Sequence, residues 1–311
     1  MPVLLADIGG SNARFALLHP GRALPRPAER VPLNGFADAV SAIGGWLAAQ
    51  PGPRPRAAVL AVAGPVAANR AVLTNRGWVV DGATLAAALE LSAVRVVNDF
   101  AALAWALPVL GAADLLHLGG PAAGEAGAAM SVVGPGTGLG VAAFLPPDGV
   151  LATEGGHAAL AAGDAREGAL IETLRERLGG HVSVERGALS GPGIEALHAA
   201  LGGDPERDCP AILQDGITGA DPRCAEVMTL FCDLLGAFAG DVALLHGARS
   251  GVFIAGGIPA RMPEFLAAST FRARFEAKGR FRDWLAPVPT WLIRDPDAAA
   301  MRGLAVLARR P

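Results

Sequence analysis

Two segments of the same plan, more than a hundred residues apart, constrain this chain more than any other feature. In Leu4–Leu17, LLADIGGSNARFAL, the apolar run from Val3 to Ala6 reads as a strand that carries Asp7 to its end. Gly9, Gly10 and Ser11 make a tight turn, and Arg14 to Leu17 reads as the returning strand. Met130–Phe144, MSVVGPGTGLGVAAF, repeats the arrangement of apolar strand, glycine-rich turn and β-like return. Glycine allows a turn to adopt positive φ and a ligand to approach the backbone closely. Successive free N–H groups in such a turn form a concave anion site, and the carboxylate of Asp7 beside it is suited to a metal ion. One glycine-rich turn is a weak signal. Two of matching plan indicate a duplicated fold with a nucleotide held between the halves.

What the chain lacks narrows the nucleotide chemistry. Among 26 Lys and Arg residues the sole lysine is Lys278, in FEAKGR. A P-loop needs a lysine directly after its second glycine, and a protein kinase needs one on its third strand. Both classes are excluded, as are enzymes that work through a lysine Schiff base. The dinucleotide pattern G-x-G-x-x-G also fails, because Leu139 and Val141 stand where its third glycine belongs. No G-x-S-x-G nucleophile elbow occurs.

At 311 residues the chain is expected to form about two domains, and 52% apolar content supplies their cores. A net charge of −3 argues against nucleic acid as a partner, since neutralising phosphates requires a basic face. Cys209, Cys224 and Cys232 lack paired metal spacing and read as free thiols of a reducing cytosol. No cationic segment precedes an apolar one at the N-terminus. The uncharged stretch Ala126–Pro147 is long enough to span a membrane, but its glycines and Pro146-Pro147 make it read as two buried strands around a turn. A cytoplasmic protein without membrane attachment is expected.

Strand-like runs at Val3–Ala6, Ala57–Ala63, Val94–Val97 and Ser131–Val133 alternate with helical patterns, the mark of an α/β protein with mixed sheets. Phe36–Ala49 has helical spacing and is stopped by Gln50-Pro51-Gly52-Pro53. Asp81 is predicted to cap a helix running to Leu91, and Asp297 one running to Arg309. Asp164–Leu178 and Asp221–Leu245 are the long helices of the second half, with Cys224 and Cys232 on an apolar face of the latter.

Three polar constellations stand out. Asn98 and Asp99, in VVNDF, follow an apolar strand at the edge where open α/β sheets gather ligands. A carboxylate there suits removal of a hydroxyl proton, and the pair reads equally well as the cap of the helix beginning near Phe100. Glu154 and His157, in EGGH, flank a glycine hinge, and Glu185 lies in SVER. Taken alone, each also reads as a solvated turn or surface charge. Together, Asn98, Asp99, Glu154, His157 and Glu185 offer hydrogen-bonding groups suited to a polyhydroxylated ligand.

These segments resemble the bacterial glucokinase family of the hexokinase and actin-like ATPase superfamily. The matching stretches are DIGGSNAR (Asp7–Arg14), TNRGW (Thr74–Trp78), VNDFAALAWALP (Val97–Pro108), GPGTGLG (Gly134–Gly140), EGGH (Glu154–His157), SVERGALSGPG (Ser183–Gly193) and GVFIAGGIPAR (Gly251–Arg261). They run in family order along nearly the whole chain.

The resemblance implies an actin-like ATPase (ribonuclease H-like) α/β fold with mixed sheets, flanking helices and a cleft between two domains. The smaller would be 1–109 completed by a helix at 296–311, and the larger 110–295. It implies ATP-dependent phosphorylation of glucose at the 6-hydroxyl, with Asp99 as general base and Asn98, Glu154, His157 and Glu185 on the ring hydroxyls. Ala6, Asp7, Ile8, Gly9, Gly10 and Ser11, with Gly136, Thr137 and Gly138, would cradle the ATP phosphates. Asp7 would position Mg²⁺ through water, and Gly256 and Gly257 would admit the nucleoside. A homodimer is implied as well. The alternatives are a kinase of another hexose or amino sugar, and a non-catalytic sugar sensor on the same fold.

Ser11 stands where the family usually has threonine, which keeps the hydroxyl. After Pro296 the chain reads Asp297-Ala298-Ala299-Ala300 in place of the usual Pro-Gly-Leu-Leu-Gly run, leaving the packing of the last helix open. The cysteine cluster of the zinc-bearing ROK (repressor, open reading frame, kinase) relatives is absent from the sequence, which points to the zinc-free branch.

Overall fold

The computed structural model describes residues 1–310 apart from 23–26 and 74–75, so Thr74 and Asn75 of the TNRGW stretch lie outside the described residues. The chain separates into two compact units, Met1–Leu110 with the C-terminal residues from Asp297, and Gly111–Pro296.

The strands of the first unit are β1 (Val3–Ile8), β2 (Asn12–Leu18), β3 (Glu29–Pro32), β4 (Ala57–Val62), β5 (Val66–Ala67), β6 (Arg70–Leu73), β7 (Trp78–Asp81) and β8 (Ala93–Asn98). Five form one sheet in the order β3-β2-β1-β4-β8, and β5-β6-β7 form a small second one. In the larger sheet β1, β4 and β8 pair in parallel, while β2 pairs antiparallel with both β1 and β3. Both faces of β1 and β4 are covered, so Leu4, Leu5, Ala6 and Ile8, and Ala58 to Val62, are all buried. That is why these strands read as unbroken apolar runs.

Helix α1 (Ala39–Ala49) starts from a reciprocal capping box between Asp38 and Ser41. It turns Ala39, Ala42, Ile43, Trp46 and Leu47 to the core, a single helical stripe. Helix α2 (Gly82–Ala88) is capped by Asp81, whose side chain accepts from Thr84 N–H at 2.8 Å. It stops short of the expected Leu91 because Glu90 enters the left-handed region at φ 56°. The Leu91 N–H then bonds back to Ala86 O at 2.9 Å, a helix-terminating arrangement. Helix α3 (Asp99–Ala106) follows β8 directly.

The C-terminal helix, Pro296–Leu307, starts where the expected 296–311 helix does, ahead of the cap expected at Asp297. Proline suits the first helical position, where its missing N–H costs no bond. Asp297 is therefore inside the first turn and is not the cap; its carboxylate pairs with Arg14 instead. Ala299 and Ala300, within the stretch that departs from the family's usual run, are buried, and the close approach lies further along the helix. A Cβ on Gly303 would stand 1.8 Å from Ala102 O, so this helix touches α3 backbone to backbone.

The second unit contains β9 (Leu115–Gly119), β10 (Met130–Pro135), β11 (Leu139–Leu145), β12 (Gly149–Thr153), β13 (Gly251–Ile254) and β14 (Thr290–Ile293), ordered β12-β11-β10-β13-β14-β9. Its first five strands repeat the larger sheet of the first unit, position for position and sense for sense. The two glycine turns occupy the same place in the two sheets, joining β1 to β2 in one and β10 to β11 in the other.

The helices are α4 (Ala165–Leu178), α5 (Val184–Gly187), α6 (Gly191–Ala200), α7 (Cys209–Thr218) and α8 (Pro222–His246), with shorter ones beyond. Helix α8 is long and apolar enough to cross a membrane, yet 72% of its apolar window is buried in this unit. Cys224 and Cys232 are fully buried there, as core packing requires.

The contact between Gly303 and α3 yields a paired expectation. Gly303→Ala forces a methyl into backbone and costs about 1–3 kcal/mol. Gly44→Ala, in mid-α1, meets only the Leu89 side chain at an ordinary 3.5 Å and gains roughly 0.5–1 kcal/mol of helix propensity. Calorimetry is expected to show opposite shifts in Tm; shifts of the same sign would contradict the packing described.

Candidate active site

The C-terminal ends of β1, β4 and β8 lie level, with Ile8, Val62 and Asn98 in register across the sheet. The first glycine turn and Asn98-Asp99 therefore share one edge of the first unit. β1 and β8 are two strand spacings apart, roughly 10 Å. This is the edge where parallel sheets bind ligands.

Gly9 N–H donates to Asn12 O at 3.0 Å, closing the first turn between the paired residues Ile8 and Ala13. Neither Gly9 nor Gly10 is among the glycines with positive φ, so the left-handed backbone that glycine allows is not used in this turn. At Gly9 the requirement is one of space: a Cβ would come within 3.3 Å of Asn12 O.

Asp7 faces Arg14 across the hairpin. Arg14 forks, with Nη1 on Asp7 Oδ2 at 3.0 Å and Nη2 on the Asp297 carboxylate. The Asp7 side chain is 13% exposed, and burial raises its pKa above the ordinary 3.8 despite the attraction of Arg14; the negative charge of Asp297 pushes the same way. Two carboxylates thus share one guanidinium, which leaves a negative charge only partly answered. A divalent cation fits such a place. Among the described residues no group of three or more His, Cys, Asp or Glu is placed to hold a metal. Mg²⁺ is ordinarily bound by one or two carboxylates with water and substrate phosphates, which matches what Asp7 offers.

Asn98 is the N-cap of α3, so the capping reading of this pair holds as geometry. Its Oδ1 accepts from Phe100 N–H at 2.9 Å and Ala101 N–H at 3.1 Å. Its Nδ2 donates to Gly64 O at 3.1 Å and to Asp99 Oδ1 at 2.9 Å. Asp99 Oδ1 also accepts from Phe100 N–H at 2.9 Å. The half-buried carboxylate is thereby fixed at the start of a helix and at the sheet edge.

In the second unit Gly136 N–H donates to Gly138 O at 2.8 Å, and Gly136 O accepts from Gly191 N–H at 2.9 Å, at the start of α6. Thr137 is exposed at the tip. The chain leaving β13 packs beside this turn. Gly256 has φ 90°, and a Cβ on it would lie 2.2 Å from Pro135 O, so only glycine fits. Gly257 faces open space.

Glu154, His157 and Glu185 come together in this unit. His157 Nε2 is 4.0 Å from Glu154 Oε2 and 3.7 Å from Glu185 Oε2. Gly156 is held against the start of β11, where a Cβ would lie 2.2 Å from Leu139 O. The side chains of Glu154 and His157 are about three-fifths exposed and open to a ligand, whereas Glu185 is 22% exposed. The Glu185 carboxyl carbon lies 3.6 Å from where a Gly138 Cβ would stand, so the trio borders the second turn.

Two residues with no role assigned from the sequence complete this arrangement. Ser190 Oγ, buried, donates to Glu185 O at 2.8 Å and accepts from Gly193 N–H at 3.0 Å. Gly191 ties α6 to the turn. Both belong to the SGPG stretch already noted; their work is done through backbone atoms, which residue chemistry alone does not reveal.

A family profile described as Glucokinase matches residues 4–311. The chain is 42% identical over 317 residues to a glucokinase of Nitrobacter hamburgensis, an alignment covering 99% of this chain and 97% of the relative. It is 42% identical over 321 residues to a glucokinase of Paramagnetospirillum magneticum, with 99% and 98% covered. The crystal structure of a glucokinase from an Antarctic psychrotroph superposes with a TM-score of 0.88 at 35% identity, covering 99% of each chain.

The electrostatics of Asp7 give a signed expectation. Its folded-state pKa is raised, so its stabilising contribution is full below the unfolded value near 3.8 and is lost as pH rises through the folded value. Without metal or nucleotide, Asp7→Asn is expected to melt above the wild type at pH 7, with the gap closing as pH falls towards 4. A wild type that gains on the variant as pH rises would mean that Arg14 outweighs burial.

Proposed function

The chain belongs to the glucokinase family, and on that premise we propose that it moves the γ-phosphoryl group of ATP to the 6-hydroxyl of D-glucose, giving glucose 6-phosphate and ADP. One observation carries the reading: Glu154, His157 and Glu185 border a glycine turn, so groups suited to hydroxyls lie beside backbone amides suited to phosphate.

In this reading Glu154 and Glu185 accept ring hydroxyls, and His157 completes the set as donor or acceptor. Ser190 and the SGPG turn keep Glu185 in place. Asn98 orients Asp99 and exchanges one of its present contacts for a sugar hydroxyl. Asp99 takes the proton from the 6-hydroxyl as that oxygen bonds to the γ-phosphorus and the bond to the β,γ-bridging oxygen breaks. Positioning and charge stabilisation carry most of the catalysis in phosphoryl transfer.

The phosphates are assigned to the turn that follows Ala6, Asp7 and Ile8, formed by Gly9, Gly10 and Ser11, and to Gly136, Thr137 and Gly138. Gly256 and Gly257 back the nucleoside. Asp7 would hold Mg²⁺ through water, and the ion would supply positive charge to offset that of the phosphates. No lysine of the usual nucleotide-binding patterns is present to do this, so the burden falls on backbone amides and the metal.

Two kinetic outcomes are expected. Asp99→Asn lowers kcat by roughly 10²–10⁴-fold, the range for loss of a general base, while glucose binding survives in isothermal titration. Near-normal turnover would remove Asp99 from the mechanism. His157→Ala and Glu185→Ala each leave substrate hydroxyls unpaired, at about 1–3 kcal/mol, and raise the KM for glucose more than the KM for ATP. The reverse pattern would move these residues to the nucleotide.

A further inference from the structure

We infer that Arg76 is a positioning residue for the first phosphate turn, holding the Gly10 carbonyl so that the Ser11 N–H is presented to the ligand. The inference rests on the reading of that turn as a phosphate clamp.

Arg76 lies between β6 and β7. Its own backbone is fixed by two bonds to Leu73 O, from Arg76 N–H at 3.0 Å and from Gly77 N–H at 2.8 Å. The guanidinium stacks on the ring of Trp78, 5.0 Å from the centroid. From there Nε donates to Gly10 O and Nη1 donates to Leu33 O at 3.0 Å. Leu33 is fully buried, and its N–H donates to Ser11 O at 3.0 Å. The two successive carbonyls of the turn, Gly10 O and Ser11 O, are thus held by one bracket made of Arg76 and Leu33.

In a trans planar peptide the carbonyl and the following N–H point in opposite directions. Fixing Gly10 O therefore fixes Ser11 N–H on the side away from Arg76. Something must impose this, because neither Gly9 nor Gly10 sits in the left-handed region that would set the turn by itself. The second unit uses the same device with a different donor, since Gly136 O is held by the Gly191 N–H. A planar fork that stacks on an aromatic ring and reaches two carbonyls is a task for arginine; a lysine supplies the charge without the geometry.

The test compares Arg76→Ala, Arg76→Lys and the turn variant Gly10→Val in the full chain. Dissociation constants for a non-hydrolysable ATP analogue with Mg²⁺ and for glucose are measured by calorimetry, alongside Tm. Loss of a charge-assisted hydrogen bond is expected to weaken the nucleotide by about tenfold in Arg76→Ala while the glucose Kd is unchanged. Arg76→Lys is expected to resemble Arg76→Ala, and free guanidinium, unlike methylammonium, to restore part of the affinity of Arg76→Ala. If Arg76→Ala does not fold, Arg76→Lys decides the matter alone. Unchanged nucleotide affinity in the Arg76 variants with a weakened Gly10→Val would overturn the role of Arg76 and leave the clamp standing. Unchanged affinity in Gly10→Val as well would overturn the clamp itself. Equal losses for nucleotide and glucose, in step with Tm, would make Arg76 a structural residue only.

Discussion

The structure depends on how two tight turns dispose of their own peptide groups. Each turn joins a buried strand to its antiparallel neighbour, and in each a carbonyl is bonded from behind: Gly10 O by Arg76 and Gly136 O by the start of α6. Peptide planarity then aims the next amide the other way. Buried backbone groups nearly always find partners, and with these carbonyls engaged the amides that follow them, at Ser11 and Thr137, are the ones proposed to meet phosphate. Repetition of the strand order in the two units places this device twice.

Charge is the second constraint. A nucleotide brings several negative charges, and the proposed site answers them with few cations. The guanidinium of Arg14 is shared between Asp7 and Asp297, and that of Arg76 lies on two carbonyls. The partly answered charge at Asp7 is a local cost to folding, of the kind expected where function overrides stability. The same imbalance makes the position suited to a metal ion.

Much of this was legible in the sequence because it follows from period and residue type. The covered strands read as apolar runs, Asp81 starts a helix with a side chain that accepts a backbone bond, and the duplicated turns announced duplicated sheets. Three features were not legible. Asp297 has the residue type of a cap, but Pro296 starts the helix and a residue far away in sequence, Arg14, claims the carboxylate. The end of α2 is set by a left-handed glutamate, which propensity disfavours. Arg76, Ser190 and Gly191 act on carbonyls that every residue possesses, so no side-chain pattern marks their targets. The polar trio was legible as a set of groups fit for hydroxyls; its position against Gly138 required the fold.

The central claim, that amides of both glycine turns bind phosphate, is tested most directly by amide resonances. In a ¹H–¹⁵N correlation spectrum of the deuterated chain, a non-hydrolysable ATP analogue with Mg²⁺ is added at saturation. Large downfield proton shifts are expected at Ser11 and in the Gly136–Gly138 turn, with distant glycines such as Gly202 and Gly219 unmoved. Shifts confined to one turn, or absent from both while the analogue binds elsewhere, would contradict the claim.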